Sequence, residues 1–259
     1  MYFLIENLYE SSLVSESDRN YVIQNIEVLK KGALDFLKNK NYDFFWGAIG
    51  VINYIIKVNI SYDISYFTSI FKTFDSLMLN NMKMVQDELL KSKLGGENVV
   101  NLGLAHGIAS ILKMYINCYK KNILKTESKS RAYHIIEFYI LNKNKVISTA
   151  YFSKAVIRNK IIFDCDRLAW CYGDLGIGYI LYQAGITFND QKVIDFALEV
   201  LYHSTHRRTV EETQVFDAGI CHGSAGVAHI YNRMWHYTKD PVFKALLTPY
   251  AKLVIVEST

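Results

Sequence analysis

The chain has 259 residues, 51% of them hydrophobic and 14% aromatic, and a formal net charge of +4. That is enough apolar material for the core of one large domain and too much for a disordered chain. The charge is too small for a protein built to hold nucleic acid or an anionic membrane surface. Four cysteines are too few for a disulfide scaffold at this length, and they fit a reducing compartment where thiols bind metal or pack. The longest apolar run, residues 47–56, is about ten residues long, against the roughly twenty that a bilayer span needs. Residues 1–6 carry neither the basic segment nor the cleavage site of a secretory signal, so the expected location is the cytoplasm. Two prolines and long apolar stretches without strict alternation predict a mostly helical chain.

In chain order, Val22, Ile26, Leu29, Ala33 and Phe36 recur at spacings of four and three, which predicts an amphipathic helix. A glycine turn follows, Phe44-Phe45-Trp46-Gly47-Ala48-Ile49-Gly50, and runs into an apolar helix. Residues 81–101 are mixed and contain Gly95-Gly96, as expected of a loop with some extended structure. Leu104-Ala105-His106-Gly107-Ile108-Ala109-Ser110 repeats the turn, with Ser110 where the second glycine stands elsewhere. A one-sided helix is predicted over 130–141, and short strands or an irregular connection over 143–164. Trp170-Cys171-Tyr172-Gly173-Asp174-Leu175-Gly176 is the third turn. After its apolar helix comes an amphipathic one carrying Val193, Ala197, Val200 and Leu201, with Asn189 or Asp190 as its cap. Ile220-Cys221-His222-Gly223-Ser224-Ala225-Gly226 is the fourth turn.

The turns share the pattern x-x-x-Gly-x-x-Gly, and their first glycines lie 60, 66 and 50 residues apart. Such spacing is too irregular for a tight solenoid and suits helix pairs joined by variable loops. The helices behind the turns read as apolar nearly all round, and such helices need cover on every side. The predicted architecture is all-α, a single domain over 1–259, with apolar helices inside, amphipathic helices outside and the glycine turns gathered at one end. Glycine fits turns where the backbone approaches closely or φ is positive.

Cys171 and Cys221 each stand two residues before the first glycine of their turn, so the repeat would carry them to equivalent places around one axis. With His222 they form a Cys₂His set, which holds zinc in catalytic sites and leaves a fourth position open. The same residues also fit two buried thiols and a core histidine, since cysteine is often buried for packing alone and no C-x-x-C pair is present. His106, in the place of Tyr172 and His222, is either a general acid or base or a core histidine. Asp43 and Arg167 are either exposed loop charges or groups that orient His106 and stabilise an oxyanion. Cys118 and Cys165 read as structural, and His134, His203, His206, His229 and His236 receive no role. No glycine-rich phosphate loop is present.

Leu104-Ala105-His106-Gly107, Arg167 with Trp170-Cys171-Tyr172-Gly173, and Cys221-His222-Gly223 together resemble the lanthionine synthetase C-like proteins, the cyclases of lanthipeptide biosynthesis. Tyr42-Asp43 with Gly47-Ala48-Ile49-Gly50 is similar to an earlier motif of that family, so the resemblance runs from Asp43 to Trp235. It implies an α,α-toroid with zinc held by Cys171, Cys221 and His222, and with Asp43, His106, Arg167 and Tyr172 around the open position. The implied reaction adds a cysteine thiol of a dehydrated precursor peptide to a dehydroalanine or dehydrobutyrine of the same peptide. His106 is the implied proton donor, oriented by Asp43, with Arg167 or Tyr172 at the enolate oxygen. A dehydratase and an exporter, in a membrane-bound biosynthesis complex, are further implied partners.

Two departures from the family are single residues: Leu175 stands for the usual proline and Ser110 for the usual glycine. A third is length, because the family closes a ring of seven helix pairs and this chain shows only four turns. The expectation is an incomplete ring, truncated at both ends. An open arc motivates a second reading, a non-catalytic scaffold that holds a precursor peptide or a dehydratase. A third, addition of an external thiol such as glutathione, would use the same residues.

Overall fold

Each glycine turn ends where an apolar helix begins, and those helices form the inner layer of the fold. The computed structural model describes residues 15–17, 20, 24–58, 62–78, 100–144, 150–157, 160–161 and 167–250. Among them the inner helices are α2 (Ala48–Val58), α4 (Ile108–Lys120), α6 (Asp174–Phe188) and α9 (Ser224–Thr238), each packed on the next in sequence. Outside them lie α1 (Ile26–Lys38) against α2, α5 (Lys125–Leu141) against α4, α7 (Gln191–Ser204) against α6 and α10 (Pro241–Ala245) against α9. The outer helix α3 (Ile64–Met78) sets Phe71 edge-on to Tyr115 of α4 at 5.0 Å, and its Asp75 accepts from Arg131 Nε of α5 at 2.7 Å. A short helix, α8 (Val210–Thr213), precedes the fourth turn. This is the two-layer layout of an α,α-toroid, with one continuous core between the layers.

The amphipathic helices form where periodicity places them, with informative differences at their ends. Val22 lies outside the described residues, and α1 begins at Ile26. The cap of α7 is Asp190, whose Oδ1 accepts from the N–H groups of Lys192 and Val193 at 3.0 and 3.3 Å. Asn189 instead ends α6 in the left-handed conformation, at φ 53°. Helix α5 starts at Lys125, five residues ahead of the predicted 130. Its first turn, Lys-Thr-Glu-Ser, shows no apolar periodicity, and it is held by Ser128 Oγ donating to Ile123 O at 2.9 Å.

The predicted strands appear as a small antiparallel sheet, β1 (Val100–Asn101), β2 (Ala155–Ile157) and β3 (Lys160–Ile161), in that order. Val100 faces Val156 and Val156 faces Ile161. Residues 81–99 of the predicted loop, and Cys165, lie outside the described residues. Cys118 is fully buried in the core of α4, and burial pushes its thiol well up from the ordinary range, in keeping with a structural role.

The inner helices differ from expectation in one respect. They are not apolar on every side, because each carries a narrow polar seam at positions six and ten after its first glycine. The seams pair in a constant register. Asn53 of α2 accepts from Asn117 Nδ2 of α4 at 2.8 Å, and Lys113 of α4 donates to Gln183 Oε1 of α6 at 2.8 Å. Tyr179 of α6 stands against Arg233 of α9 in the same register, and the two groups interact electrostatically, completing the series. The pattern escapes a hydrophobicity reading because the seam holds only one residue per turn, between fully buried neighbours.

Glycine is demanded in the turns mainly by close approach. A Cβ at Gly176 would lie 2.2 Å from Trp170 O, and one at Gly226 would lie 2.0 Å from Ile220 O. Positive φ occurs among the described glycines only at Gly173, at 79°. Gly176→Ala and Gly226→Ala should therefore each destabilise the fold by about 1–3 kcal/mol in urea unfolding, from overpacking against backbone. Gly32→Ala, on a helix face with nothing within 4 Å, should instead stabilise by about 0.5–1 kcal/mol.

Candidate metal centre and its surroundings

The turns are tied to one another by main-chain hydrogen bonds in a fixed register. Phe44 N donates to Ala105 O at 3.1 Å, Leu104 N to Cys171 O at 2.8 Å, and Trp170 N to Cys221 O at 3.1 Å. In each case the residue three before the first glycine of one turn bonds to the residue two before the first glycine of the next. The register sets Phe45, Ala105, Cys171 and Cys221 in equivalent places, so the two cysteines lie on adjacent turns. Cys171 N also donates to Cys221 O at 3.3 Å.

The side chains follow. One ligand atom each from Cys171, Cys221 and His222 lies within 4.8 Å of the other two. Tetrahedral zinc sets such atoms about 3.5–3.8 Å apart, so small side-chain rotations suffice to close on an ion. Cys171 is buried, whereas 45% of the His222 side chain is exposed, which leaves an approach from solvent. Burial first, and the neighbouring Cys221 second, push the Cys171 thiol up to about 12, with the Arg167 charge opposing. Two adjacent thiols beside an imidazole form a donor set suited to a divalent cation that displaces the thiol protons.

His106 Nδ1 forms a short hydrogen bond with Asp43 Oδ2. Burial raises the Asp43 carboxyl, but the bond to His106 and the N–H groups of Trp46 and Phe45 outweigh it, and the carboxyl sits below its ordinary value of 3.8. A carboxyl held down in the fold stabilises it above the unfolded-state value. That contribution is lost as pH falls through the depressed folded value, below about pH 4. The His106 ring lies 5.8 Å from that of Tyr172, whose hydroxyl accepts from Asn101 Nδ2 at 3.0 Å. Arg167 Nε donates to Gln214 O at 3.1 Å, and its guanidinium lies 6.0 Å from the Phe216 ring. Arg167 therefore meets the cluster through its field at Cys171. Each of the seven candidate residues lies at this end of the helices.

Three features were not anticipated from sequence. Extending the turns three residues further back, to six before the first glycine, brings Asn41, Asn101 and Asp217 into register, with Arg167 in the third turn. Their Oδ1 atoms accept from the N–H two residues on, in Asp43, Gly103 and Gly219, at 3.3, 2.8 and 2.7 Å. Asp174, the first residue of α6, is fully buried; it accepts from Tyr151 N at 2.9 Å, Phe152 N at 3.0 Å and Arg207 Nη2 at 3.0 Å. Its partners stand more than twenty residues away, beyond the reach of a spacing argument. Finally, a cavity of ≈ 960 Å³ opens between the first and last inner helices, walled by Phe44, Phe45, Trp46, Trp170 and Ile220 and reaching Cys221. His229, assigned no role from sequence, also lines it.

An inner layer of turn-capped helices with a Cys₂His cluster at their mouths defines an α,α-toroid with a candidate metal centre. The family model for lanthionine synthetase C-like protein matches residues 8–258, wider at both ends than the motifs alone, and the chain belongs to that family. The nisin biosynthesis protein NisC of Lactococcus lactis subsp. lactis is 25% identical, over 76% of this chain and 50% of that protein. The solved structure of a nisin cyclase superposes with a TM-score of 0.76 at 19% identity, covering 98% of this chain and 67% of that one. The chain thus spans half the length of the curated relative it matches. Among the described residues no helix is long and apolar enough to cross a membrane.

Asp174→Ala strips the buried Arg207 of its carboxylate. It should destabilise the fold by about 3–5 kcal/mol, read by denaturant unfolding of the metal-free protein.

Proposed function

We propose that this chain is a zinc-dependent cyclase that joins a cysteine thiol of a dehydrated precursor peptide to a dehydroalanine or dehydrobutyrine of the same peptide. The observation that carries this reading is the convergence of Cys171, Cys221 and His222 beside the Asp43–His106 pair, at the mouth of an apolar cavity. Membership of the lanthionine synthetase C-like family and the likeness to a protein named nisin cyclase support it. A dehydratase and an exporter are proposed partners, and the cytoplasm the proposed location.

Zinc held by Cys171, Cys221 and His222 would keep one position open and lower the pKa of a peptide thiol placed there. The cavity walls bind the peptide. Phe44, Phe45 and Trp170 pack ring against ring at 5.5–5.9 Å, a rigid apolar surface for the residues flanking the reacting pair. The new carbon–sulfur bond forms at the β-carbon while the double bond's electrons pass to the α-carbon and its carbonyl oxygen. Arg167, whose field already reaches Cys171, offsets that charge, and Tyr172 can donate from its hydroxyl. His106 is tethered to Asp43 through Nδ1, which orients the ring, and the imidazole delivers a proton to the α-carbon. The thiol proton lost at the start and the one gained at the end balance, so the addition consumes no redox partner.

A second reading keeps the peptide and drops the chemistry. Trp46 and Ile220 at the cavity rim are 78% and 67% exposed, a surface that would also suit a scaffold.

The experiment is cyclisation of a dehydrated precursor peptide by the purified chain, with mass spectrometry after thiol alkylation. A scaffold leaves the thiols open to alkylation, and addition of an external thiol raises the product mass by that thiol. We expect one zinc per chain and loss of alkylable thiols, with both abolished by Cys171→Ala. His106→Asn should keep the zinc and slow ring formation by about 10²–10⁴-fold, the usual worth of a positioned acid. Equal activity of Cys171→Ala and the parent would end the proposal.

A further inference from the structure

The small sheet stands apart from the helix layers, and its first two strands lead to one side chain of the site. Asn101 ends β1 and pairs with Ala155 at the start of β2. Lys154 stands just before β2, and its carbonyl accepts from Leu102 N at 3.1 Å. The pairing thus keeps Asn101 and Lys154 close across the ladder. Asn101 Nδ2 donates to Tyr172 OH at 3.0 Å, and Lys154 Nζ lies 4.8 Å from the centre of the Tyr172 ring.

Comparison of the turns shows that this reach is particular to Asn101. At six before the first glycine, Asn41, Asn101 and Asp217 each accept the N–H two residues on through Oδ1. The amide of Asn41 stays within its own turn, with Nδ2 donating to Trp46 O at 2.8 Å, and the carboxylate of Asp217 has no N–H to give. The amide of Asn101 crosses to the next turn instead. Its two ends are not interchangeable. The atom facing Gly103 N at 2.8 Å must be the oxygen, because a main-chain N–H needs an acceptor, so the nitrogen faces the phenol. Tyr172 therefore accepts from Asn101, and its own proton is turned away from that amide.

Gly103 completes the seat of the ring. A Cβ there would lie 2.7 Å from Tyr172 Cδ1 and 2.6 Å from Cys171 O, so the ring rests against bare backbone. A ring with a cation over it, a donor at its hydroxyl and glycine backbone against its carbons has little room to turn.

We infer that Asn101 is a positioning residue for Tyr172, through which the sheet holds the phenol as a hydrogen-bond donor toward the substrate's carbonyl oxygen. The inference rests on the cyclase reading above and deepens it. The phenol proton is not spent on Asn101, and it can meet the oxygen that gains charge as the carbon–sulfur bond forms.

Asn101→Asp inverts the contact: it keeps the oxygen that serves Gly103 and replaces the amide donor by an acceptor that takes the phenol proton. An aspartate already serves this turn position at Asp217. The variant is made in the full chain, alone and combined with Tyr172→Phe. The readouts are zinc content, kcat and KM for ring closure in a dehydrated precursor peptide, and the ¹³C shift of Tyr172 Cζ in the metal-free protein, assigned through Tyr172→Phe. Expected are parental zinc content, an unchanged KM, a kcat lower by about 10²-fold, the worth of one oxyanion donor, and a moved Cζ shift. In the Tyr172→Phe background Asn101→Asp should cost no further kcat, because the two changes remove one interaction. A parental kcat, or a loss that is as large without the Tyr172 hydroxyl as with it, would overturn the inference while ring closure by the parent leaves the cyclase standing. A parent that closes no rings would overturn the cyclase reading, and the role of Asn101 with it. If the buried aspartate unfolds the chain, Asn101→Ser decides, since its hydroxyl can still accept from Gly103 N but offers Tyr172 no amide. A kcat loss that vanishes in the Tyr172→Phe background supports the role, and a loss that persists there, or none at all, counts against it.

Discussion

The main-chain bonds from one glycine turn to the next govern this structure. An N–H three residues before one glycine reaches a carbonyl two residues before the next, and the step recurs from Phe44 to Ala105, Leu104 to Cys171 and Trp170 to Cys221. Because the donors and acceptors are backbone atoms, the register survives any change of side chain that leaves the turn intact. That freedom lets one repeat position hold phenylalanine, alanine and two cysteines in the four turns. The close approach of carbonyls at Gly176 and Gly226 is the steric price of packing the turns this tightly.

The same end of the helices holds two imidazoles with carboxylate neighbours, and the nitrogens involved are opposite. His106 meets Asp43 through Nδ1, and His222 meets Asp217 through Nε2. The first is a hydrogen bond that fixes the ring, whereas the second is a half-exposed contact at 3.2 Å. Arg167 adds a positive charge felt at Cys171 against the burial that keeps that thiol protonated. The site therefore combines the apolar walls of Phe44, Phe45, Trp46 and Trp170 with the charges of Asp43 and Arg167 from the same two turns.

Away from the turns, the inner helices are joined by their polar seams rather than by apolar contact alone. Asn53 with Asn117, Lys113 with Gln183 and Tyr179 with Arg233 repeat one pairing across three successive interfaces. Burial, together with the charges of Lys120 and Arg233, lowers Lys113 to about 8. A buried polar pair resists sliding, because a shift by one turn would leave each partner unsatisfied. The seams thus set the height of each inner helix against the next, as the turn bonds set its end.

Periodicity and glycine spacing alone determined that the chain is helical, that four turns repeat, and that Cys171, Cys221 and His222 stand in equivalent or adjoining positions. Those features are local: a helix face recurs every three or four residues, and a tight turn announces itself by its glycines. The sequence left open which of Asn189 and Asp190 caps α7, whether His106 pairs with Asp43, and whether Arg167 touches the cluster or acts on it through its field. It concealed the Asp174–Arg207 pair and the polar seams. Each of these depends on partners brought together from distant turns, and only the packing of helix on helix decides which side chains meet. Chain order records neighbours along a strand of peptide, whereas an ion pair or a tautomer is set by neighbours in space.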